Sequence, residues 1–128
     1  MQQKRFLIVA DDIESCKILN IVLADYDLTV VHTLTSAQSH YHAQHFDLFM
    51  LDNWLPDGSG IDFCREIRTS YPDTPIIFTS GAAHNDNISE ATAAGASYYL
   101  VKPYDPFEIQ EIVKDLLDPS TRSITNVG

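Results

Sequence analysis

Four apolar runs in this chain each end in polar or charged residues, and this pattern restricts the fold more than any other feature. The runs and the residues that follow them are 6–10 before Asp11 and Asp12, 48–51 before Asp52, 76–78 before Thr79 and Ser80, and 98–101 before Lys102 and Pro103. Short continuous apolar runs are typical of strands buried on both faces, as in a parallel sheet covered by helices. Because parallel strands end at the same edge of a sheet, where open α/β folds place their sites, we expect these polar groups to converge.

Helix-like segments separate the apolar runs. Residues 13–23 carry a helical stripe of apolar side chains, and the β-branched run at residues 28–31 predicts one more strand. Further helices are predicted over residues 35–44, with Thr35 and Ser36 as the N-cap, and over residues 61–71, 87–94 and 106–117. The alternation predicts an α/β fold, a doubly wound (βα)5 domain with a five-stranded parallel sheet and right-handed crossovers.

Length and charge limit the classes of function. The 128 residues suffice for one domain, which we expect over residues 1–118, followed by a polar C-terminal tail or truncated linker over residues 119–128. The net charge of −10 and the scattered basic residues oppose direct binding to nucleic acid. No apolar stretch approaches the roughly 20 residues of a membrane span, and no signal-peptide pattern precedes the first strand. We therefore expect a cytoplasmic protein that does not bind a membrane.

The loop after the first strand argues against two nucleotide-binding functions of this fold class. A flavin site would need Ser, Thr and Gly around the phosphate, and a dinucleotide site would need glycines. Asp11 and Asp12 occupy this loop, and their charges would repel a phosphate. The expected group of three carboxylates, a hydroxyl and an ammonium suits a divalent cation and a phosphoryl group instead.

Five segments, in order, resemble the receiver domain of bacterial-type two-component response regulators. They are residues 8–12, Leu51-Asp52, Leu55-Pro56 with Ser59-Gly60, residues 78–80, and residues 94–96 with 99–103. The resemblance extends over about residues 5–117. It implies a flavodoxin-like strand order, 2-1-3-4-5. It also implies a phosphoaccepting signalling domain that is not an enzyme and assists only its own phosphorylation and dephosphorylation.

The resemblance assigns roles to the acidic residues. Asp52 matches the acceptor of a phosphoryl group from a phosphohistidine of a sensor histidine kinase or a histidine phosphotransfer protein. Asp12, Asp52 and the main-chain carbonyl of Trp54 match the ligands of Mg²⁺ (or Mn²⁺), and Asp11 would act mainly through a metal-bound water.

The resemblance also implies a switch. Lys102 would pair with the acceptor carboxylate before phosphorylation and with a phosphoryl oxygen after it, and the Lys102–Pro103 peptide bond is expected to be cis. Thr79 and Ser80 would contact the phosphoryl group, and a movement of Thr79 would make room for Tyr99. The surface of the fourth helix, fifth strand and fifth helix would then control a downstream effector or output domain.

Two other functions remain open at this point. A haloacid-dehalogenase-type phosphatase also phosphorylates an Asp after a strand, but it needs a second Asp two positions later, where this chain has Trp54. A degenerate receiver would bind a partner without being phosphorylated, although the intact set of Asp52, Thr79 and Lys102 argues against it. Because a large indole beside the acceptor can shield an acyl phosphate from water, Trp54 predicts a longer-lived phosphorylated state than a small or polar residue would give. Gly81, two residues after Thr79, opens the site and acts in the opposite direction.

Overall fold

The structure, a computed structural model, describes residues 3–81, 85–103 and 105–118, with the backbone alone for residues 85–87. The helices are α1 (Ile13–Val22), α2 (Leu34–Ala43), α3 (Gly60–Ser70), α4 (Asn85–Ala94) and α5 (Pro106–Leu117). The strands are β1 (Arg5–Val9), β2 (Asp27–Val31), β3 (Leu48–Asp52), β4 (Trp54–Leu55), β5 (Gly58–Ser59), β6 (Ile76–Ser80) and β7 (Tyr98–Val101). None of the helices in these ranges is long and apolar enough to cross a membrane. The predicted tail over residues 119–128 lies outside the described residues.

Five strands form one parallel sheet in the order β2-β1-β3-β6-β7. Each neighbouring pair in that order is parallel. The two remaining strands, β4 and β5, are only two residues long and form a separate hairpin. When the sheet strands alone are counted, this is the predicted order 2-1-3-4-5, so the predicted fold class is confirmed.

Helices cover both faces of the sheet. Alternate side chains of β1 point to opposite faces: Phe6 and Ile8 join the cluster under α1 and α5, whereas Leu7 and Val9 join the cluster under α2, α3 and α4. All four side chains are fully buried. This two-sided burial explains why the strand has no polar position along its apolar run.

The hairpin after β3 is tied to the start of α2. Asp57 lies in the hairpin turn, and its carboxylate accepts hydrogen bonds from the main-chain N–H groups of Leu34 at 2.7 Å and Thr35 at 2.9 Å. It also accepts a hydrogen bond from Thr35 Oγ1 at 2.8 Å. A negative charge at the N-terminus of a helix satisfies unpaired N–H groups and interacts favourably with the helix dipole. The loop that follows the predicted acceptor therefore holds α2 in place.

Helix α2 begins earlier than the sequence predicts. Its N-cap is Thr33, whose Oγ1 accepts a hydrogen bond from Ser36 N at 3.1 Å. The predicted cap at Thr35 and Ser36 is wrong, because both residues lie in the first turn of the helix. Thr33, Thr35 and Ser36 are all residue types that cap helices well. The contact of Asp57 with the N–H groups of Leu34 and Thr35 distinguishes among them, and it comes from a distant part of the chain.

We expect the Asp57→Asn variant to be less stable than the wild type, with a difference that depends on pH. The hydrogen bonds from Leu34 N, Thr35 N and the Thr35 hydroxyl lower the pKa of Asp57 below its ordinary value of 3.8. A carboxyl group whose pKa is lower in the folded state stabilises the fold above its unfolded pKa, and this contribution disappears as pH falls through the folded pKa. The difference in urea midpoint should therefore be largest near about pH 7 and shrink below pH 3.8.

A matched control for this experiment is Asp25→Asn, which alters an exposed aspartate outside the cap. Its urea midpoint should follow that of the wild type at every pH. A stability difference for Asp57→Asn that stayed constant down to the lowest pH would show that the carboxylate charge does not contribute to the cap.

Candidate functional site

Asp52 is the last residue of β3, and only 3% of it is exposed. A buried carboxylate is costly unless hydrogen bonds and a positive charge offset its lost hydration. Thr79, its register partner on β6, donates a hydrogen bond from Oγ1 to Asp52 Oδ1. The ammonium group of Lys102 lies 3.0 Å from Asp52 Oδ2. The structure therefore brings together three of the predicted site residues from the ends of three strands.

Lys102 lies between two carboxylates. Besides its contact with Asp52, its Nζ is 3.9 Å from Asp12 Oδ2. The residue follows β7 directly, and its peptide bond to Pro103 is cis. The Lys102 side chain retains 20% of its exposure, so the ammonium group remains within reach of the solvent.

The acidic pair lies at the end of β1, where α1 begins. Asp12 is the N-cap of α1 and accepts a hydrogen bond from Glu14 N at 3.1 Å. The Ser15 hydroxyl also donates to Asp12 and is the main reason that the pKa of this carboxyl is below its ordinary value. The Glu14 N–H and the charge of Lys102 lower the pKa further, against an opposing effect of burial. Asp11 is exposed. The observed N-cap role of Asp12 is therefore compatible with a role at the site.

The electrostatic character of this edge is negative despite Lys102. Burial raises the pKa of the Cys16 thiol, and the charges of Asp52 and Asp12 raise it further, with Lys102 opposing them. Cys16 lies in α1 beside the site, and its Sγ is 3.7 Å from the carbonyl oxygen of Ala10. Three carboxylates, those of Asp11, Asp12 and Asp52, lie at this edge with the single ammonium group of Lys102, which leaves room for an additional cation.

A shallow cleft of about 100 Å³ opens at the carboxyl ends of β3 and β6. The residues that line it are Asp11, Asp52, Asn53, Trp54, Thr79, Ser80, Gly81 and Lys102. Trp54 is 71% exposed and stands at the rim, whereas Ser80 is buried. A Cβ atom at Gly81 would meet no atom within 4 Å, so this side of the cleft is open. The buried carboxylate is thus accessible to a small group from solvent.

The donor set fits a small divalent cation. Mg²⁺ prefers oxygen ligands and commonly uses one or two protein carboxylates, with waters and phosphate oxygens completing its shell. The Oδ2 atoms of Asp12 and Asp52 both face Lys102 Nζ, and Asp11 and Trp54 border the same cleft. Within the described ranges, no three His, Cys, Asp or Glu side chains are clustered closely enough to hold a metal ion. The two carboxylates directed at one point match the number that Mg²⁺ commonly takes from a protein.

Tyr99 lies one strand away from the carboxylate and is half-buried. Its ring stacks on Phe78, with centroids 6.0 Å apart and an interplanar angle of 24°. Phe78 and Tyr99 are register partners on β6 and β7, and Thr79 is the next residue after Phe78. A displacement of the Thr79 backbone would therefore move Phe78 and change its contact with the Tyr99 ring.

The family model for the response regulator receiver domain matches residues 6–114 of the chain. The chain belongs to the response regulator receiver family. This receiver domain is 31% identical over 119 residues to the response regulator protein PilR of Pseudomonas aeruginosa, covering 91% of this chain and 27% of that protein. It is 30% identical over 116 residues to the DNA-binding transcriptional activator DevR/DosR of Mycobacterium tuberculosis, covering 88% of this chain and 54% of that protein. The chain thus spans about a quarter to a half of the length of these curated relatives.

Solved receiver structures agree in fold. A CheY-like response regulator receiver domain protein from Methanospirillum hungatei superimposes with a TM-score of 0.87 at 26% identity, covering 95% of this chain and 99% of that chain. The BeF3-activated DrrB receiver domain of Thermotoga maritima superimposes with a TM-score of 0.82 at 26% identity, covering 91% of this chain and 98% of that chain. The receiver family of two-component systems, predicted from the sequence motifs, is confirmed.

Two residues at the site of this receiver domain were not predicted. Ser15 lies three residues after Asp12, a spacing that places it on the first turn of α1, so the helix-capping pattern offered a signal. Asn53 gave no such signal, because nothing in its neighbourhood in the sequence indicates that its side chain is buried. Only 2% of Asn53 is exposed, and its main chain is hydrogen-bonded to both β6 and α3.

Proposed function

We propose that this receiver domain accepts a phosphoryl group on Asp52 from a phosphohistidine of a sensor histidine kinase or a histidine phosphotransfer protein. One observation carries the proposal: the Asp52 carboxylate is buried against Lys102 Nζ and the Thr79 hydroxyl, and it also borders an open cleft. A purely structural ion pair gains nothing from such a cleft, whereas a phosphoryl acceptor requires one. A cytoplasmic location is part of this proposal, since the donor proteins present their phosphohistidines there.

The chemical step needs a nucleophile and neutralisation of charge. A carboxylate oxygen of Asp52 attacks the phosphorus, the new O–P bond forms as the N–P bond of the donor breaks, and the imidazole nitrogen retains the electron pair. The transferred group carries its negative charge on its peripheral oxygens. Positioned cations and hydrogen-bond donors therefore provide most of the stabilisation of the transition state. Lys102 supplies the positive charge and Thr79 supplies a hydroxyl donor, both already directed at the acceptor.

We assign Mg²⁺ (or Mn²⁺) to the acidic edge, with Asp12, Asp52 and the Trp54 main-chain carbonyl as ligands and Asp11 acting through water. A bound divalent cation would neutralise charge on the phosphoryl oxygens during transfer. The low pKa of Asp12 keeps this carboxylate ionised, which is the form that binds a metal. The Ser15 hydroxyl and the Glu14 N–H hold its orientation while one face of the carboxylate remains directed towards Lys102.

The proposed output is a change at the surface formed by α4, β7 and α5. Thr79 has one hydroxyl, so a hydrogen bond to a phosphoryl oxygen replaces its present bond to Asp52. Tyr99 would respond through its stacking on Phe78. Tyr98, Val101 and Phe107 are exposed apolar residues on β7 and α5, available to a downstream effector or output domain. The state of the acceptor would thereby be coupled to binding of a partner.

Intact mass after incubation with acetyl phosphate tests the proposed function. With Mg²⁺ present, the wild type should gain one phosphoryl group, and an excess of EDTA should prevent the gain. Absence of a gain with Mg²⁺, and with a panel of phosphorylated histidine kinases as donors, would favour a binding module that works without phosphorylation.

Replacement of Trp54 by Asn should shorten the lifetime of the phosphorylated state. The exposed indole stands at the rim of the cleft, two residues after the acceptor, where it can keep water from the acyl phosphate. We expect dephosphorylation to accelerate roughly threefold to tenfold, a change of about 1 kcal/mol in the barrier. The half-life is measured by intact mass after rapid removal of the phosphodonor.

Trp54→Phe is the matched control, because it retains a flat apolar ring at the same place. Its half-life should lie close to that of the wild type. Equal dephosphorylation rates for Trp54→Asn and the wild type would mean that the indole does not shield the site.

A further inference from the structure

The side chain of Asn53 is buried without a hydrogen-bond partner. Only 2% of the residue is exposed, and neither Oδ1 nor Nδ2 has a partner within the described part of the chain. Its main chain, in contrast, is fully engaged: the N–H donates to Thr79 O at 3.0 Å, and the carbonyl accepts from Gly60 N at 2.9 Å. The backbone is therefore held in place while both polar ends of the carboxamide remain unpaired.

An unpaired carboxamide is an unfavourable choice for a buried position. It loses its hydration and receives no hydrogen bond in return, whereas an apolar side chain of the same shape would avoid both losses. A ligand that arrives at the site is one of the partners that explain such a group. Asn53 follows Asp52 directly and belongs to the wall of the cleft, so the partner is expected at the acceptor.

A phosphoryl group at Asp52 has hydrogen-bond acceptor sites beyond those that Lys102 and Thr79 would fill. A phosphoryl group has three strong acceptor oxygens. Lys102 Nζ and Thr79 Oγ1 are the side-chain donors that contact the acceptor carboxylate in the described structure. The Asn53 main-chain N–H cannot help, because it is bonded to Thr79 O. The two N–H bonds of its side-chain amide are free to donate.

We propose that Asn53 is a binding residue for the phosphorylated state: its carboxamide donates a hydrogen bond to an oxygen of the oxyanion held at Asp52. This inference rests on the proposed function. It assigns to Asn53 an interaction that the unphosphorylated protein lacks, so the unpaired amide destabilises the resting state relative to the phosphorylated one. Asn53 therefore lowers the stability of the resting fold and favours binding of the phosphoryl group or its mimic at the site.

The test compares stability and oxyanion binding in the same variants. The probe is beryllofluoride with Mg²⁺, a mimic of the phosphoryl group, and binding is followed by fluorescence of Trp54, the single tryptophan of the chain. Asn53→Leu replaces the carboxamide by an apolar side chain of closely similar shape. We expect its urea midpoint to equal or exceed that of the wild type, while its affinity for beryllofluoride falls about tenfold or more, as for loss of a hydrogen bond to a charged group.

Tyr41→Phe is the matched control. Among the described residues, Tyr41 OH is the remaining buried side-chain polar atom without a partner, but Tyr41 belongs to α2 and packs against the rings of Phe49 and Phe63, away from the cleft. Its removal should leave the urea midpoint equal or higher and should not change the affinity for beryllofluoride. The control therefore distinguishes two effects: a gain in stability when an unpaired buried polar group is removed, and a loss of affinity when a contact with beryllofluoride is removed.

The outcomes distinguish this inference from the function on which it rests. Unchanged affinity for beryllofluoride in Asn53→Leu overturns the role of Asn53 and leaves the proposed function intact. A lower urea midpoint for Asn53→Leu also overturns it, because the amide would then be satisfied in the resting protein. If the wild type fails to bind beryllofluoride and fails to gain a phosphoryl group, the proposed function and this inference fall together.

Discussion

The Asp52→Asn variant is expected to take up no phosphoryl group from acetyl phosphate under conditions in which the wild type gains one. The amide has nearly the shape of the carboxylate and can still accept a hydrogen bond from the Thr79 hydroxyl, which now donates to Asp52 Oδ1. It is, however, neutral and a poor nucleophile, and it cannot form the acyl phosphate. It also removes the negative charge that holds Lys102 Nζ at 3.0 Å. Intact mass in the presence of Mg²⁺ measures the loss, which should be complete.

Asp62→Asn is the control for this experiment. Asp62 is an exposed aspartate on α3 that pairs with Arg65 at 3.0 Å, so its loss should leave phosphorylation at the level of the wild type. Urea unfolding of both variants confirms that they are folded. A phosphoryl group that still appeared on Asp52→Asn would place the acceptor on another carboxylate of this edge, and peptide mapping would identify Asp11 or Asp12.

The fold could be predicted because its determinants are local. Four of the five sheet strands contain an uninterrupted apolar run, and each of these runs ends where the polar edge of the sheet begins. Asp52 and Lys102 are 50 residues apart in the chain, yet their ion pair follows from the rule that parallel strands end together. The convergence of Asp52, Thr79 and Lys102 was accordingly predictable from the sequence.

Other features could not be predicted because they depend on tertiary contacts. The cap of α2 was placed two residues too late, since Thr33 and Thr35 are equally suitable by type and only Asp57, from the hairpin, distinguishes them. Asp57 itself had no sequence signal beyond its position in a turn. Asn53 was overlooked for the same reason: its burial arises from the close approach of α3 to the end of β3, through the hydrogen bond from Gly60.

That close approach predicts a large effect for Gly60→Ala. Gly60 is the first residue of α3, and a Cβ built on it would lie 2.0 Å from the carbonyl oxygen of Asp52 and 3.1 Å from its carbonyl carbon. The atoms in the way belong to the backbone of a central strand, so no change of rotamer can relieve the overlap. Either the start of α3 moves away from the sheet or the last peptide of β3 is displaced.

We expect Gly60→Ala to lower the free energy of unfolding by about 3 kcal/mol, the upper part of the range for overpacked positions. This loss would oppose the intrinsic preference for Ala over Gly in helices, which is worth up to about 1 kcal/mol. The loss of unfolding free energy is measured by urea unfolding, and an unchanged m-value would show that the two states expose the same surface as in the wild type. The same displacement would move the carboxylate of Asp52 and the amide of Asn53, so phosphorylation by acetyl phosphate should slow in the fraction of protein that remains folded.

Gly81→Ala provides the comparison, because it adds the same methyl group at the other wall of the cleft, where no atom lies within 4 Å of the new Cβ. Its unfolding free energy should stay within about 0.5 kcal/mol of the wild type. If Gly60→Ala were equally neutral, the backbone of α3 could shift without loss of stability. The contact between Gly60 and Asp52 would then not determine the position of the acceptor. A large loss at Gly60 alone would instead show that the position of the acceptor is set by a backbone contact that only glycine permits.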